Sequence, residues 1–183
     1  MSEKKIHTIS IFTENHVGLL QRITILFTRR QINIESLNVS ASEVKGIHRY
    51  TIVIKETEEH VKKVVKQIEK LVEVIKSFYH TDEETVYLEI ALYKLPIDAL
   101  ANGFQIEQFV RENQAHVLTI EKDFFILEKT GHKAETQALL EKLEPFGLLE
   151  FVRSGRVAVN KSMKNVSEYL KELEQKHQEM DSK

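Results

Sequence analysis

The chain has 183 residues, enough for one large domain or two small ones, and its 42% hydrophobic and 30% charged residues are ordinary for a protein that buries a core. The lack of cysteine excludes disulfides and cysteine nucleophiles, and a net charge of -2 gives no general attraction to nucleic acid or to an anionic membrane. Since no apolar run reaches the roughly 20 residues of a membrane span, and none typical of a signal peptide follows the charged start, we expect a cytoplasmic protein.

The first 80 residues alternate between strand and helix patterns. Ile9 and Ile11 alternate with polar residues, and a helix opened by Gly18 then carries apolar residues at helical spacing. A second helix follows the acidic segment 56–59 and carries a valine-rich stripe that extends to Val72. With strands predicted over 6–13, 34–40, 48–54 and 74–79, this half of the chain is predicted to form one βαββαβ unit.

The second half repeats this architecture without repeating the sequence. Strands are predicted over 86–94, 116–121, 124–129 and 148–153, and helices over 103–113 and 133–143, with a loop over 95–102. An acidic linker over 82–84 separates the halves, so we predict domains over 5–81 and 84–160. A tail over 161–183 contains a predicted amphipathic helix over 163–173, which we expect to pack on the second domain.

The predicted fold class is therefore α+β, with two tandem ferredoxin-like βαββαβ domains and a C-terminal helical tail. This fold serves many functions, so motifs must decide between them. An RNA-binding domain would display several aromatic residues on its central strands, whereas the third strand here offers only Tyr50.

An enzyme or metal site is also disfavoured by the sequence. The eight histidines form no pair at the helical spacing of metal ligands, and the nearest cluster, His80 with the acidic linker, is typical of a solvated segment. The sequence contains no nucleophile elbow and no phosphate-binding loop. Catalytic residues that lie far apart in the sequence would leave no motif, so they stay an open alternative. We therefore predict no catalytic residue and no metal site in this chain.

The loop between the first strand and the first helix is the strongest candidate for a binding site. Glu14, Asn15 and His16 interrupt the strand pattern, and Gly18 then opens the helix. The free amide groups at a helix start can hold an anion such as the carboxylate of an amino acid, and a side chain at Gly18 would block them. The alternatives are a plain helix-start role for Gly18 and a turn role for Asn15.

This loop and the segment after it contain two motifs. They read Asn-x-x-Gly-x-Leu-x-Arg and Phe-x-x-Arg-x-x-Asn-Ile-x-Ser-Leu, and they comprise Asn15, Gly18, Leu20, Arg22, Phe27, Arg30, Asn33, Ile34, Ser36 and Leu37. Both resemble the ACT domain that opens the small regulatory subunit of acetolactate synthase. Segments 49–52 and 66–74 are similar to later parts of that domain, and 150–155 is similar to the close of the family's second domain. At the first strand of that second domain the family has an Arg-Glu pair, which appears here as Leu88-Glu89.

The resemblance implies a regulatory subunit that is not itself an enzyme. Its partner, the large catalytic subunit, would carry thiamine diphosphate, magnesium and FAD and would convert pyruvate to 2-acetolactate. This chain would raise that activity and confer feedback inhibition by valine or another branched-chain amino acid. ACT domains of two copies would pair, with the effector between the loop of one copy and Asn33 of the other. The implied effector-binding residues are Asn15, His16, Val17, Gly18, Leu19, Leu20, Asn33 and Ile34.

A second function stays open at this point. A free-standing sensor built from tandem ACT domains could act on another partner, such as a transcriptional regulator. Arg22 and Arg30 lie on the helix surface by their spacing, where they are solvated charges or contacts with a catalytic partner.

Overall fold

The computed structural model describes residues 3–101 and 105–161, which divide into two units. One unit comprises residues 3–86 and 158–161, and the other comprises Tyr87–Val157. The helix predicted over 163–173 lies outside the described residues, as do residues 102–104 of the predicted loop and helix.

The first unit follows the predicted βαββαβ order. Its elements are β1 (Lys5–Glu14), α1 (Leu19–Thr28), β2 (Ile34–Ala41), β3 (Ile47–Glu56), α2 (Glu58–Ile68) and β4 (Val74–Thr81). The strands form one sheet in the order β2-β3-β1-β4, in which every neighbouring pair is antiparallel. The last strand thus lies beside the first, which is the ferredoxin-like arrangement.

The core of the first unit lies between one face of this sheet and the two helices. Ile9, Ile11 and Ile52 are fully buried because they share the face that the alternating pattern predicts. Helix α1 covers that face with Ile23 and Phe27, which are also fully buried. Packing of these apolar residues holds both helices on the sheet and fixes where α1 begins.

Two isoleucines of helix α1 provide a test of this packing. Ile23 is 0% exposed and Ile25 is 41% exposed, so Ile23→Ala leaves a cavity whereas Ile25→Ala does not. We expect Ile23→Ala to reduce the free energy of unfolding by about 2–5 kcal/mol and Ile25→Ala by less than about 1 kcal/mol. Urea denaturation followed by circular dichroism measures both, and equal losses for the two variants would contradict this account of the core.

His7 lies on the same face of β1 as Ile9 and Ile11 and is 2% exposed. Burial lowers the pKa of its imidazole from the ordinary value of 6.5, and burial likewise lowers the pKa of His80. As the pH falls below that value, the unfolded chain binds protons that the folded chain does not. The contribution of neutral His7 to the free energy of unfolding is therefore fully present above pH 6.5 and decreases as the pH falls from 6.5 towards the lowered pKa.

We expect His7→Gln to reduce this pH dependence. Urea denaturation at a series of pH values measures it, and His116→Gln is the control because His116 is exposed on β6 (His116–Ile120). A His7→Gln variant whose stability falls as steeply as that of the unmodified chain would show that His7 does not contribute.

The second unit has the same topology as the first. Its elements are β5 (Thr85–Pro96), which begins two residues before the unit boundary, then α3 (Asp98–Ala101), α4 (Ile106–Asn113), β6, β7 (Phe124–Gly131), α5 (Lys133–Leu143) and β8 (Glu150–Arg153). Strand β9 (Val157–Asn160) begins at the last residue of this unit, and its other residues belong to the first unit. The sheet order β6-β7-β5-β8 matches that of the first unit. The predicted class, two tandem ferredoxin-like units, is confirmed.

Tyr93 is the largest side chain that is fully buried in the second unit. Its hydroxyl donates a 2.6 Å hydrogen bond to the backbone oxygen of Thr136 on α5, which satisfies the polar end of the ring. Burial raises the pKa of Tyr93 to about 12. The phenol therefore stays neutral and links β5 to the helix above it.

Two local predictions were wrong. Helix α2 ends at Ile68, so Val72 does not continue its buried stripe and is 92% exposed. The predicted loop over 95–102 is mostly regular structure, because Leu95 and Pro96 pair with Phe125 and Phe124 as the end of β5 and Asp98–Ala101 form α3. The predicted acidic linker forms a 3-10 helix over Asp82–Glu84, whose start is capped by Thr81 and Glu84.

Candidate effector site at the start of helix α1

The loop between β1 and α1 holds Gly18 in a conformation that glycine adopts without strain. Strand β1 ends at Glu14, the amide of Leu19 donates to the oxygen of His16 at 3.4 Å, and Gly18 then precedes the helix with φ +82°. Other residues populate this left-handed region rarely. The sequence alternatives for Gly18 were a helix-start residue and a residue that leaves room for a ligand, and the positive φ adds a third, backbone reason.

The start of helix α1 is open to an anion. No side chain caps it, and its first turn contains no acidic residue. A Cβ atom built at Gly18 would meet nothing within 4 Å, so no other part of the described chain crowds this glycine. The unpaired amides and the helix dipole favour a negatively charged group in that space.

Of the predicted site residues in this loop, one is buried and anchors the helix, whereas the others are exposed. Leu19 is 1% exposed and packs in the core, which fixes the first turn of the helix. Asn15, Val17 and Leu20 are exposed, so their side chains are accessible to a ligand. His16 is also exposed, and its Nε2 lies 3.0 Å from a carboxylate oxygen of Glu14.

Glu73, which the sequence analysis did not single out, braces this loop. Its backbone oxygen accepts a 3.0 Å hydrogen bond from the amide of Glu14, and its carboxylate forms an ion pair with Arg22 on α1. Hydrogen bonds from its own backbone amide and from Arg22 lower the pKa of Glu73. Arg22 is therefore held by a carboxylate of its own chain, in addition to lying on the helix surface as predicted.

Asn33 and Ile34, the other predicted part of the site, lie at the opposite end of the sheet. Along β1, Glu14 pairs with Ile47, whereas His7 pairs with Ile54, which in turn pairs with Ile34. Since the two ends are seven residues apart along β1, a rise of about 3.3 Å per residue separates them by roughly 23 Å. One copy of the chain does not bring the two parts of the predicted site together.

The described residues contain no group of three or more histidine and acidic side chains that could hold a metal ion. Nδ1 of His80 lies 3.9 Å from a Glu84 carboxylate oxygen, but this contact joins only two such side chains. Among residues 3–101 and 105–161, no helix is both long and apolar enough to cross a membrane.

In the second unit, an arginine on another strand lies beside the glutamate of the family's Arg-Glu pair, whose own arginine is missing here. Glu89 on β5 is buried, and its Oε2 lies 3.7 Å from Nε of Arg153 on β8. Gln137 on α5 accepts a 3.2 Å hydrogen bond from the same guanidinium. Although Leu88 replaces the arginine of the family pattern, Glu89 therefore still has a cationic neighbour.

Known proteins match both units. Residues 9–76 match the family model of the AHAS small subunit-like ACT domain, and residues 88–162 match that of the small subunit of acetolactate synthase. The acetolactate synthase small subunit of Mycobacterium bovis is 37% identical over 162 residues, which cover 88% of this chain and 96% of that protein. The chain belongs to the acetolactate synthase small-subunit family.

Other relatives agree with this assignment. The small subunit of Bacillus subtilis is 35% identical over 156 residues, which cover 85% of this chain and 89% of that protein. The crystal structure of the acetolactate synthase small subunit of Thermotoga maritima superposes with a TM-score of 0.78 at 30% identity, and covers 87% of this chain and 99% of that one. The resemblance predicted from the loop and strand motifs is confirmed for both units.

Proposed function

We propose that this chain activates the large catalytic subunit of acetolactate synthase and makes that enzyme sensitive to feedback inhibition by valine. Membership of the small-subunit family supports a regulatory role. The catalytic chemistry, which joins two pyruvates into 2-acetolactate with loss of carbon dioxide, belongs to the large subunit. That subunit holds the thiamine diphosphate, magnesium and FAD, and the complex acts in the cytoplasm.

The observation that carries the effector assignment is the open start of helix α1. The valine carboxylate accepts hydrogen bonds from amides of the first turn of α1, where no side chain caps the helix; the Leu19 amide, which donates to His16 at 3.4 Å, turns to the ligand or is supplemented by the next amides. The exposed side chains of Asn15 and Leu20 lie beside this position and provide polar and apolar contacts for the rest of the ligand. The site residues are those predicted from the sequence.

Within one copy, the loop before α1 and Asn33 lie at opposite ends of the sheet, and this distance supports a site shared by two copies. Asn33 and Ile34 lie at the far end of the sheet from the loop of their own chain. Two copies that pair antiparallel, edge to edge along β2, bring Asn33 of one copy to the loop of the other. The exposed polar side chain of Asn33 then contacts a ligand held by the neighbouring helix start.

Inhibition requires that valine bind one arrangement of the enzyme complex more tightly than another. A coupling of about 1–3 kcal/mol makes valine bind one arrangement roughly five-fold to 150-fold more tightly than the other, which is enough to shift their populations for feedback control.

Calorimetric titration of the full chain with L-valine tests the effector assignment. We expect saturable binding of L-valine and no binding of D-valine, because the site fixes the carboxylate, the ammonium group and the side chain at once. Absence of saturable heat with L-valine, together with absence of protection against thermal unfolding, would contradict the assignment.

A further inference from the structure

A cavity lies at the opposite end of the first unit from the loop that precedes α1. It has a volume of about 490 Å³ and lies where β1 begins, β4 ends and α2 begins. It is lined by Glu3, Lys5, His7, Glu58, Tyr79, Thr81 and Glu84. None of these residues belongs to the proposed valine site.

His7 is the buried polar group of this cavity. It is 2% exposed, and the backbone of Glu56 is the hydrogen-bonding group that acts on its ring, which leaves one ring nitrogen without a partner among the described residues. Buried polar groups are normally paired, because an unpaired one loses its hydrogen bonds to water without replacement. Burial lowers the pKa of His7, so at neutral pH the ring is uncharged and offers one donor and one acceptor.

Carboxylates dominate the charge of the cavity. Glu3, Glu58 and Glu84 line it against the single ammonium group of Lys5. Lys62, which pairs with Glu58 at 2.7 Å, adds one further positive charge from outside the lining and leaves the carboxylates in excess. The cavity therefore favours a positively charged occupant.

Two of these carboxylates are held in position. Oε1 of Glu58 accepts a 3.3 Å hydrogen bond from the hydroxyl of Tyr79, and Oε2 of Glu84 accepts a 2.9 Å hydrogen bond from the amide of Thr81. The Tyr79 ring stands edge-on to His7 with a centroid distance of 6.1 Å. Fixed carboxylates beside an aromatic ring are a suitable environment for an ammonium group.

The donor set indicates an organic cation and not a metal ion. The described residues, those of this cavity included, contain no group of three or more side chains placed to ligate a metal ion. An alkylammonium ion carries its charge on several N–H donors, which can reach separated acceptors at once.

We propose that this cavity binds a small primary alkylammonium ion. Glu58 and Glu84 neutralise the ammonium group, the unprotonated nitrogen of His7 accepts one of its hydrogens, and the alkyl part lies against Tyr79. The proposal is independent of the valine site, because it uses no residue of that site.

Nuclear magnetic resonance of the full chain with n-propylammonium as the probe tests this inference. Ring proton signals of His7, assigned from their absence in His7→Gln, are followed during titration at neutral pH. We expect a saturable shift of these signals with n-propylammonium, and none with equal concentrations of propionate or 1-propanol.

A matched pair of variants on α2 keeps the test independent of folding. Glu58→Gln removes a carboxylate that lines the cavity, whereas Glu59→Gln removes a neighbouring carboxylate that pairs with Lys63 at 2.5 Å and does not line it. Both side chains are exposed, so both variants are expected to fold. We expect Glu58→Gln to weaken binding by about tenfold and Glu59→Gln to leave it unchanged. Unsaturable shifts, equal shifts with propionate, or equal affinity in the two variants would overturn the proposal.

Discussion

The substitution Gly18→Asp is expected to abolish inhibition by valine while the chain continues to activate the large subunit. The new carboxylate would stand in front of the α1 amides, where it competes with the carboxylate of valine. A Cβ at Gly18 meets nothing within 4 Å, so the substitution causes no clash, but its backbone at φ +82° costs about 1–3 kcal/mol of strain that the rest of the fold must absorb. Turnover of the reconstituted enzyme in a valine titration measures the effect.

Two controls separate charge from bulk and from backbone strain. Gly18→Asn has nearly the same shape as Gly18→Asp without the charge, and we expect it to raise the valine concentration for half-inhibition by less than about tenfold. Gly147→Asp introduces the same side chain at a glycine of the second unit with φ +81°, and we expect full inhibition. Full inhibition in Gly18→Asp, or an equal loss in Gly18→Asn, would contradict the charge mechanism.

A mixed dimer of two variants that are each insensitive to valine is expected to regain valine inhibition. If each site combines the loop of one copy with Asn33 of the other, Gly18→Asp and Asn33→Ala each damage both sites of their own dimer. A dimer with one chain of each kind has one site that carries both changes and one site that carries neither. We expect this mixed dimer to recover about half of the inhibition of the unmodified dimer, in proportion to the restored sites.

Differently tagged chains allow the mixed dimer to be purified before it is combined with the large subunit. Asn33→Ala is expected to fold normally, because its side chain is exposed and donates only a 3.5 Å contact to Glu35. Dimers of each single variant are the controls. A mixed dimer as insensitive to valine as those controls would show that each chain forms its site alone, or that Asn33 does not contribute.

Most of the fold could be predicted from the sequence because alternating apolar residues indicate the strands and apolar residues at helical spacing indicate the helices. Strands whose apolar residues alternate, such as β1 and β3, were predicted to within about two residues at each end. Predictions failed where the chain changes direction. Val72 is apolar and at helical spacing, but α2 had already ended at Ile68, and helical periodicity does not report where a helix ends.

The candidate site could be predicted only in part. The loop residues followed from motifs, but the left-handed conformation of Gly18 did not, because glycine populates both signs of φ. The role of Glu73 depends on the hydrogen bond of its backbone oxygen to the Glu14 amide and on its ion pair with Arg22, and the predicted strand order specifies neither contact. For His7 a signal existed, since it shares the alternation of Ile9 and Ile11 and therefore lies on the buried face.

The central claim is tested most directly by the conversion of pyruvate to 2-acetolactate by purified large subunit, with and without this chain, across a valine titration. The account predicts that the chain raises turnover several-fold and that valine then lowers the raised rate. A rate that rises but does not respond to valine would contradict the effector site and leave the partner correct. A rate that responds neither to the chain nor to valine would contradict the proposed function itself.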